Sequence, residues 1–163
     1  MANKVYKGFF ITPIKEKDSD EYKNSIHISS LINNSFHSEN ISAKLSRVDQ
    51  LHHTGNILKN VLLEIRKSDF VIADLTGQNP NVYYELGVAR GISKNTICIC
   101  QKENYDLASD IGGDYTIPYN LLDESSELEF TNDIIQAFKE LNFNPNLHSM
   151  ADLYYEVVDE VKD

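Results

Sequence analysis

The segment Asp69-Phe-Val-Ile-Ala-Asp-Leu-Thr-Gly-Gln-Asn-Pro-Asn-Val-Tyr-Tyr-Glu-Leu-Gly-Val-Ala89 decides how this chain folds. Phe70 to Leu75 is almost continuously apolar, as a strand covered on both faces of a sheet should be. It carries a carboxylate, Asp74, at its end. A short polar turn follows. Asn79 and Pro80 then read as a helix N-cap and a first helical residue, where proline's missing N–H costs nothing. The expected helix runs from Pro80 to about Ser93 and bears a second carboxylate, Glu85. Such a strand, turn and helix leave a crevice at the carboxyl end of the strand, where open α/β sheets bind ligands. Asp74, Asn79, Asn81 and Glu85 are expected around it. Two carboxylates and two amides suit a sugar-containing ligand.

Outward from this segment, strands and helices alternate. Gly8 to Pro13 reads as a first strand, stopped by its proline. Lys15 to Asp20 is a charged loop, and Ser25 to Phe36 has helical spacing of its apolar residues. Ile41 to Val48 is a second strand. Thr54 is the expected cap of a helix to Lys67, with Ile57, Leu58, Val61, Leu62 and Ile65 as its buried stripe. Thr96 to Cys100 and Tyr115 to Tyr119 complete the strands. Two helices, Ser126 to Leu141 and Ser149 to Lys162, follow. This alternation predicts an α/β fold, a parallel sheet of about five strands flanked by helices. No internal repeat, low-complexity tract or domain boundary stands out. Residues 1–163 are therefore expected to form one domain, with those from about 122 as C-terminal helices.

Composition narrows the partners. Fifteen basic against 25 acidic side chains leave a formal charge of −10, with no clustered basic patch. Intact nucleic acid and an anionic membrane surface are excluded as natural partners on that ground. A small nucleotide is not, because a helix N-terminus can hold phosphate without a basic surface. Cys98 and Cys100 would share one strand face at a spacing unsuited to a disulfide, so both read as small buried hydrophobes in a reducing compartment. The amino terminus has no long apolar core, and no run reaches transmembrane length, so a cytoplasmic location is expected. His52 and His53 diverge and have no metal-cage spacing, so no metal and no cofactor is expected.

Each candidate residue has a plain structural alternative. On the Pro80 helix, Val82, Leu86 and Ala89 form the packing stripe, with Glu85 roughly 60° off its centre. Glu85 thus sits at the edge of the buried face, where a carboxylate acts at an anomeric carbon or holds a sugar hydroxyl. The plain alternative is a solvated helix glutamate. Asp74 either bonds the N–H groups of the Thr76-Gly77 turn or accepts a ligand hydrogen bond, and these roles are compatible. Asn79 is a helix cap or a ligand contact; Asn81 and Tyr84 are further contacts. Phe9 and Phe10 alternate across the first strand, and core packing is the simpler role for both rings. Thr12 lies in the ligand-facing loop after that strand, and Asp49 follows the second strand. Met150, Leu153, Tyr154, Val157 and Val161 give the last helix an apolar face.

Val71-Ile-Ala-Asp-Leu-Thr-Gly-Gln-Asn-Pro-Asn-Val-Tyr-Tyr-Glu-Leu-Gly87 resembles the signature of bacterial proteins related to nucleoside deoxyribosyltransferases and TIR-like domains. Phe10-Ile-Thr-Pro-Ile14 is similar to their first-strand motif, Arg47-Val-Asp49 to their second-strand end, and Tyr115-Thr-Ile-Pro-Tyr119 to a late element. The resemblance covers residues from about 8 to 120. It implies a Rossmann-like, flavodoxin-type sheet and chemistry at an N-glycosidic bond. Glu85 matches the helix glutamate that acts at C1′, and Asp74 the strand-end aspartate that assists base or sugar. Phe10, Thr12, Pro13, Asp49, Thr76, Asn79, Asn81 and Tyr84 are implied as substrate contacts. An amide, Asn79 or Asn81, replaces a second aspartate of the transferases, so the deoxyribose contacts must differ.

The expected ligand is a nucleoside, a nucleotide or an NAD-type molecule, cleaved or transferred at its glycosidic bond. The rival expectation is a sensing or signalling module of a bacterial stress or phage-defence system that binds the same ligand without turnover. A third is a protein-interaction domain using the last helix. Whether the chain forms a homo-oligomer is left open.

Overall fold

Five strands lie side by side, all parallel: β1 (Tyr6–Ile11), β2 (Ala43–Arg47), β3 (Phe70–Asp74), β4 (Asn95–Gln101) and β5 (Thr116–Tyr119). Their spatial order is β2-β1-β3-β4-β5. Four helices flank them: α1 (Asp20–Ser38), α2 (Ile57–Lys67), α3 (Pro80–Gly91) and α4 (Glu124–Glu140). This computed structural model describes residues 4–13, 15–50, 56–105, 116–141 and 143. The strand order is that of flavodoxin-type sheets, in agreement with the expected class. Among the described residues, no helix is long and apolar enough to cross a membrane.

Alternation along the strands sorts side chains into two layers. Phe10, Phe70, Ile72 and Ile117 face Ile28 and Ile32 of α1 and Phe130 and Ile134 of α4. Phe9, Val71 and Ala73 face the other way, against Val61 and Ile65 of α2 and Val82, Leu86 and Ala89 of α3. All five residues of β3 are buried, which is why its sequence runs apolar without alternation. Cys98 and Cys100 are buried in the second layer and form no disulfide, as their spacing predicts. Val82, Leu86 and Ala89 are the packing stripe read from the sequence.

Caps explain where the helices begin. Ser19 accepts a hydrogen bond from the Tyr22 N–H, so α1 starts at Asp20 and not at Ser25. Asp20, read as the end of the charged loop, and Glu21 occupy its first turn, where they complement the helix dipole. Asn56 caps α2 through the Lys59 N–H; Thr54, expected in that role, lies outside the described residues. Asp123 and Ser126 exchange hydrogen bonds in a capping box that starts α4 at Glu124. Each cap contributes about 1 kcal/mol. The expected helix Ser149 to Lys162, and with it Tyr154 and Val157, also lies outside the described residues.

One close approach constrains β1. Gly8 pairs with Phe70 across the β1–β3 ladder, and a Cβ at Gly8 would come closer than 3.0 Å to three atoms of the Phe70 ring. That ring cannot swing away, because Phe36 and Phe138 pack on it with centroids 6.1 and 5.2 Å distant. Gly8→Ala is therefore expected to cost about 2–3 kcal/mol by overpacking. Urea unfolding should show a lower midpoint with an unchanged m-value.

Candidate functional site

The chain leaves β1 through α1 on one face of the sheet and leaves β3 through α3 on the other. Diverging connections from adjacent parallel strands open a crevice at their carboxyl ends. A cavity of about 530 Å³ lies there. Thr12 and Pro13 after β1, Asp74 and Thr76 at the end of β3, and Gln101 of β4 form its floor. Asn24 and His27 of α1 form its wall, with Asp20, Glu21 and Lys23 near the helix start.

Asp74 shares the parity of Phe70 and Ile72, so its carboxyl faces the α1/α4 layer and not α3. It is 5% exposed. Oδ2 accepts a hydrogen bond from the Tyr119 hydroxyl at 2.9 Å, and Oδ1 one from the Thr76 N–H at 3.0 Å. Burial pushes this carboxyl above its ordinary range, and the bonds from Thr76 and Tyr119 pull it back part of the way. Tyr119 is held as a neutral phenol by burial and by the Asp74 charge, so it stays a donor. Asn24 donates to the Tyr119 oxygen at 3.3 Å. Thr76 Oγ1 is 3.3 Å from the same oxygen and accepts the Gln101 N–H at 3.0 Å. A phenol has one proton; with it committed to Asp74, the Thr76 hydroxyl is the donor in that pair. Three strand ends and α1 are thereby tied to one carboxylate.

Glu85 is buried like Asp74 but differs in its partners. It lies about 7.5 Å along α3 from Pro80 and is 8% exposed. Among the described residues its carboxylate has neither a hydrogen bond nor an ion pair. Burial alone pushes it up to about 7. It is not among the residues lining the 530 Å³ cavity. Asp74 and Glu85 thus approach the carboxyl edge of the sheet from opposite faces, and of the two only Asp74 is among the described lining of this cavity.

The other candidates divide. Thr12, Pro13 and Thr76 line the cavity. Asn79 is the N-cap of α3, its Oδ1 accepting the Asn81 N–H at 2.9 Å. Asn81 and Tyr84 are exposed and stand outside the cavity. Phe10 is 1% exposed and its ring packs in the core, the simpler role read for it from the sequence. Asp49 is not among the described lining of the cavity. Arg47 holds it with two hydrogen bonds of 2.9 Å, and Tyr22 adds a third at 3.0 Å. Partial burial pushes Asp49 up, but Arg47 and Tyr22 more than offset this and hold it below its ordinary value. Its oxygens fasten α1 to the end of β2.

Tyr119, Asn24 and Gln101 are site residues that sequence reasoning did not single out. Tyr119 carried a signal, as the final residue of a strand; Asn24 carried none, because helix register against a sheet is set by packing.

No family model matches the chain, and no curated protein matches it. Among solved structures, the chain is similar to a 2-deoxyribosyltransferase of the psychrotolerant bacterium Bacillus psychrosaccharolyticus, with a TM-score of 0.50. Sequence identity is 14%, over 80% of this chain and 95% of that one. The likeness is one of fold.

Two stability measurements check the site. Tyr119→Phe removes the donor to buried Asp74 and should cost about 1–3 kcal/mol in urea unfolding at neutral pH. Glu85 takes up its proton at about 7 when folded, against an ordinary value of 4.5. Its contribution to stability is fully present below about 4.5 and lost as pH rises through about 7. Glu85→Gln should therefore melt higher than the wild type at alkaline pH, by about 1–2 kcal/mol after allowance for residual solvent contact. In acid, where both side chains are neutral, the gain should vanish.

Proposed function

We propose that this domain takes a nucleoside-type ligand into the cleft between β1 and β3 and breaks or transfers its N-glycosidic bond, with Glu85 acting at C1′. One observation supports this most: two buried carboxyls flank a single sheet edge, both raised by burial, one hydrogen-bonded and the other with no partner among the described residues. Asp74, held by Tyr119 and Thr76, would accept a further hydrogen bond from a ribose hydroxyl or a protonated base nitrogen. Glu85 would supply the negative charge that an oxocarbenium-like transition state demands, or attack C1′ directly. A desolvated carboxylate gains most when positive charge develops beside it, because little solvent competes.

The cleft wall favours an uncharged ligand over a phosphorylated one. Asp20 and Glu21 at the start of α1 set two negative charges against the one of Lys23. The likeness to a deoxyribosyltransferase fold agrees with a nucleoside as ligand. Hydrolysis of an NAD-type molecule, a TIR-like activity and a role in phage defence rest on the sequence resemblance alone. Binding without turnover is the second reading. It is favoured by the position of Glu85 outside the residues that line the cleft.

The test incubates the protein with nucleosides, nucleoside monophosphates and NAD, and follows free base by chromatography. Release by the wild type and its loss in Glu85→Gln, by about a hundredfold or more, is expected for a glycosyl-transferring carboxylate. The rate should rise with pH through about 7 as Glu85 ionises. Full activity in Glu85→Gln would remove the mechanism. Ligand-induced thermal stabilisation without any product would establish the binding module instead.

A further inference from the structure

β2 is an edge strand: β1 lies on one side of it, and among the described residues no strand lies on the other. Such an edge presents a row of backbone groups that another strand can pair with, unless the fold covers them. The Tyr6 N–H bonds the Ser42 carbonyl at 2.8 Å, so along this parallel ladder Ser42, Lys44 and Ser46 turn their backbone groups to β1. Ala43, Leu45 and Arg47 turn theirs outward.

None of those outward N–H groups is free. The Leu45 N–H donates to Asn33 Oδ1 at 2.8 Å, and Asn33 Nδ2 donates back to the Leu45 carbonyl at 3.0 Å. The Arg47 N–H donates to Gln50 Oε1 at 3.0 Å, and the Ala43 N–H to the Ile41 carbonyl at 2.9 Å. Asn33 lies in the interior of α1, where asparagine is a poor helix former. Its amide nonetheless suits the place, because it carries a donor and an acceptor side by side, as the backbone of a neighbouring strand does. An apolar side chain there would leave the Leu45 N–H and carbonyl open. The far edge of the sheet is blunted differently: β5 has four residues, and one of them, Pro118, has no N–H to offer.

We propose that Asn33 stands in for an absent neighbouring strand: its amide keeps the β2 edge closed, and the partner it shuts out is the β2 strand of a second copy. Two copies of one edge pair antiparallel about a twofold axis, so each backbone bond gained by one strand is gained by the other as well. The closure is independent of the glycosidic reading, since neither Asn33 nor Leu45 is among the described lining of the cleft.

The test compares the wild type with Asn33→Ala by amide hydrogen exchange and by sedimentation over a range of concentrations. About 0.5 M salt screens the Lys44 charge on the same strand. The wild type should protect the Leu45 amide. In dilute Asn33→Ala that amide should exchange about tenfold faster or more. As concentration rises, the variant should form a dimer that the wild type does not form, and Leu45 protection should return with it. Asn33→Ser, whose hydroxyl is too short to span both groups, should behave alike and serves where Asn33→Ala does not fold. An unprotected Leu45 amide in the wild type would overturn the proposal, as would a folded variant that sediments like the wild type throughout. So would a dimer in which Leu45 stays open to exchange. If Asn33 were only a tie between α1 and β2, both variants would lose stability or fail to fold without associating, and that outcome also overturns the closure.

Discussion

A strand buried on both faces has nowhere to solvate a charge, and β3 ends on Asp74. An isolated carboxylate at such a position would cost several kcal/mol, so the fold must bring donors to it. It does so by reaching across the sheet. The Tyr119 hydroxyl arrives from β5, two strands away in the order β3-β4-β5, and the Thr76 N–H comes from the turn after β3. Asn24 then joins α1 to the Tyr119 oxygen. The floor of the cleft is consequently a hydrogen-bonded unit, whose parts come from residues almost a hundred positions apart in sequence. A ligand entering it meets groups already oriented by one another, which lowers the entropy lost on binding.

Three carboxyls near this edge show how environment separates roles. Asp49 is saturated: Arg47 grips it in two places and also reaches Ser29 with a 2.6 Å hydrogen bond, while Tyr22 completes the set. Its work is mechanical, because it anchors the early part of α1, whose next residues wall the cleft. Asp74 is partly satisfied, retaining lone pairs towards the cavity. Glu85 is largely buried and has no partner among the described residues, and burial disfavours its ionised form. Natural folds tolerate such a group chiefly where function requires it.

The cleft has two unlike sides. Its inner floor belongs to strands packed on both faces, whereas its outer wall is the first half of α1. That wall is tied down by the Asp49 cluster near β2 and by His27, whose Nε2 lies 2.7 Å from Glu127 of α4. The ties are polar, with Arg47 itself buried, while the anchors deeper in α1, Ile28, Ile32 and Phe36, are fully buried and apolar.

The sequence by itself determined the layers and the presence of a cleft at the strand ends. β3 announces double burial through its unbroken apolar run, and Asn79-Pro80 announces the start of α3 through backbone chemistry confined to neighbouring residues. Val82, Leu86 and Ala89 show the packed face of that helix by spacing alone. These features are local, so a single chain carries them legibly. The strand order, Tyr119 beneath Asp74 and the opposite-sided approach of Asp74 and Glu85 were decided only by tertiary structure. Each depends on which face of the sheet a connection crosses and on how a helix is rotated against it. Both are settled by the summed burial of many apolar side chains, and neither is encoded at the residue whose role it fixes.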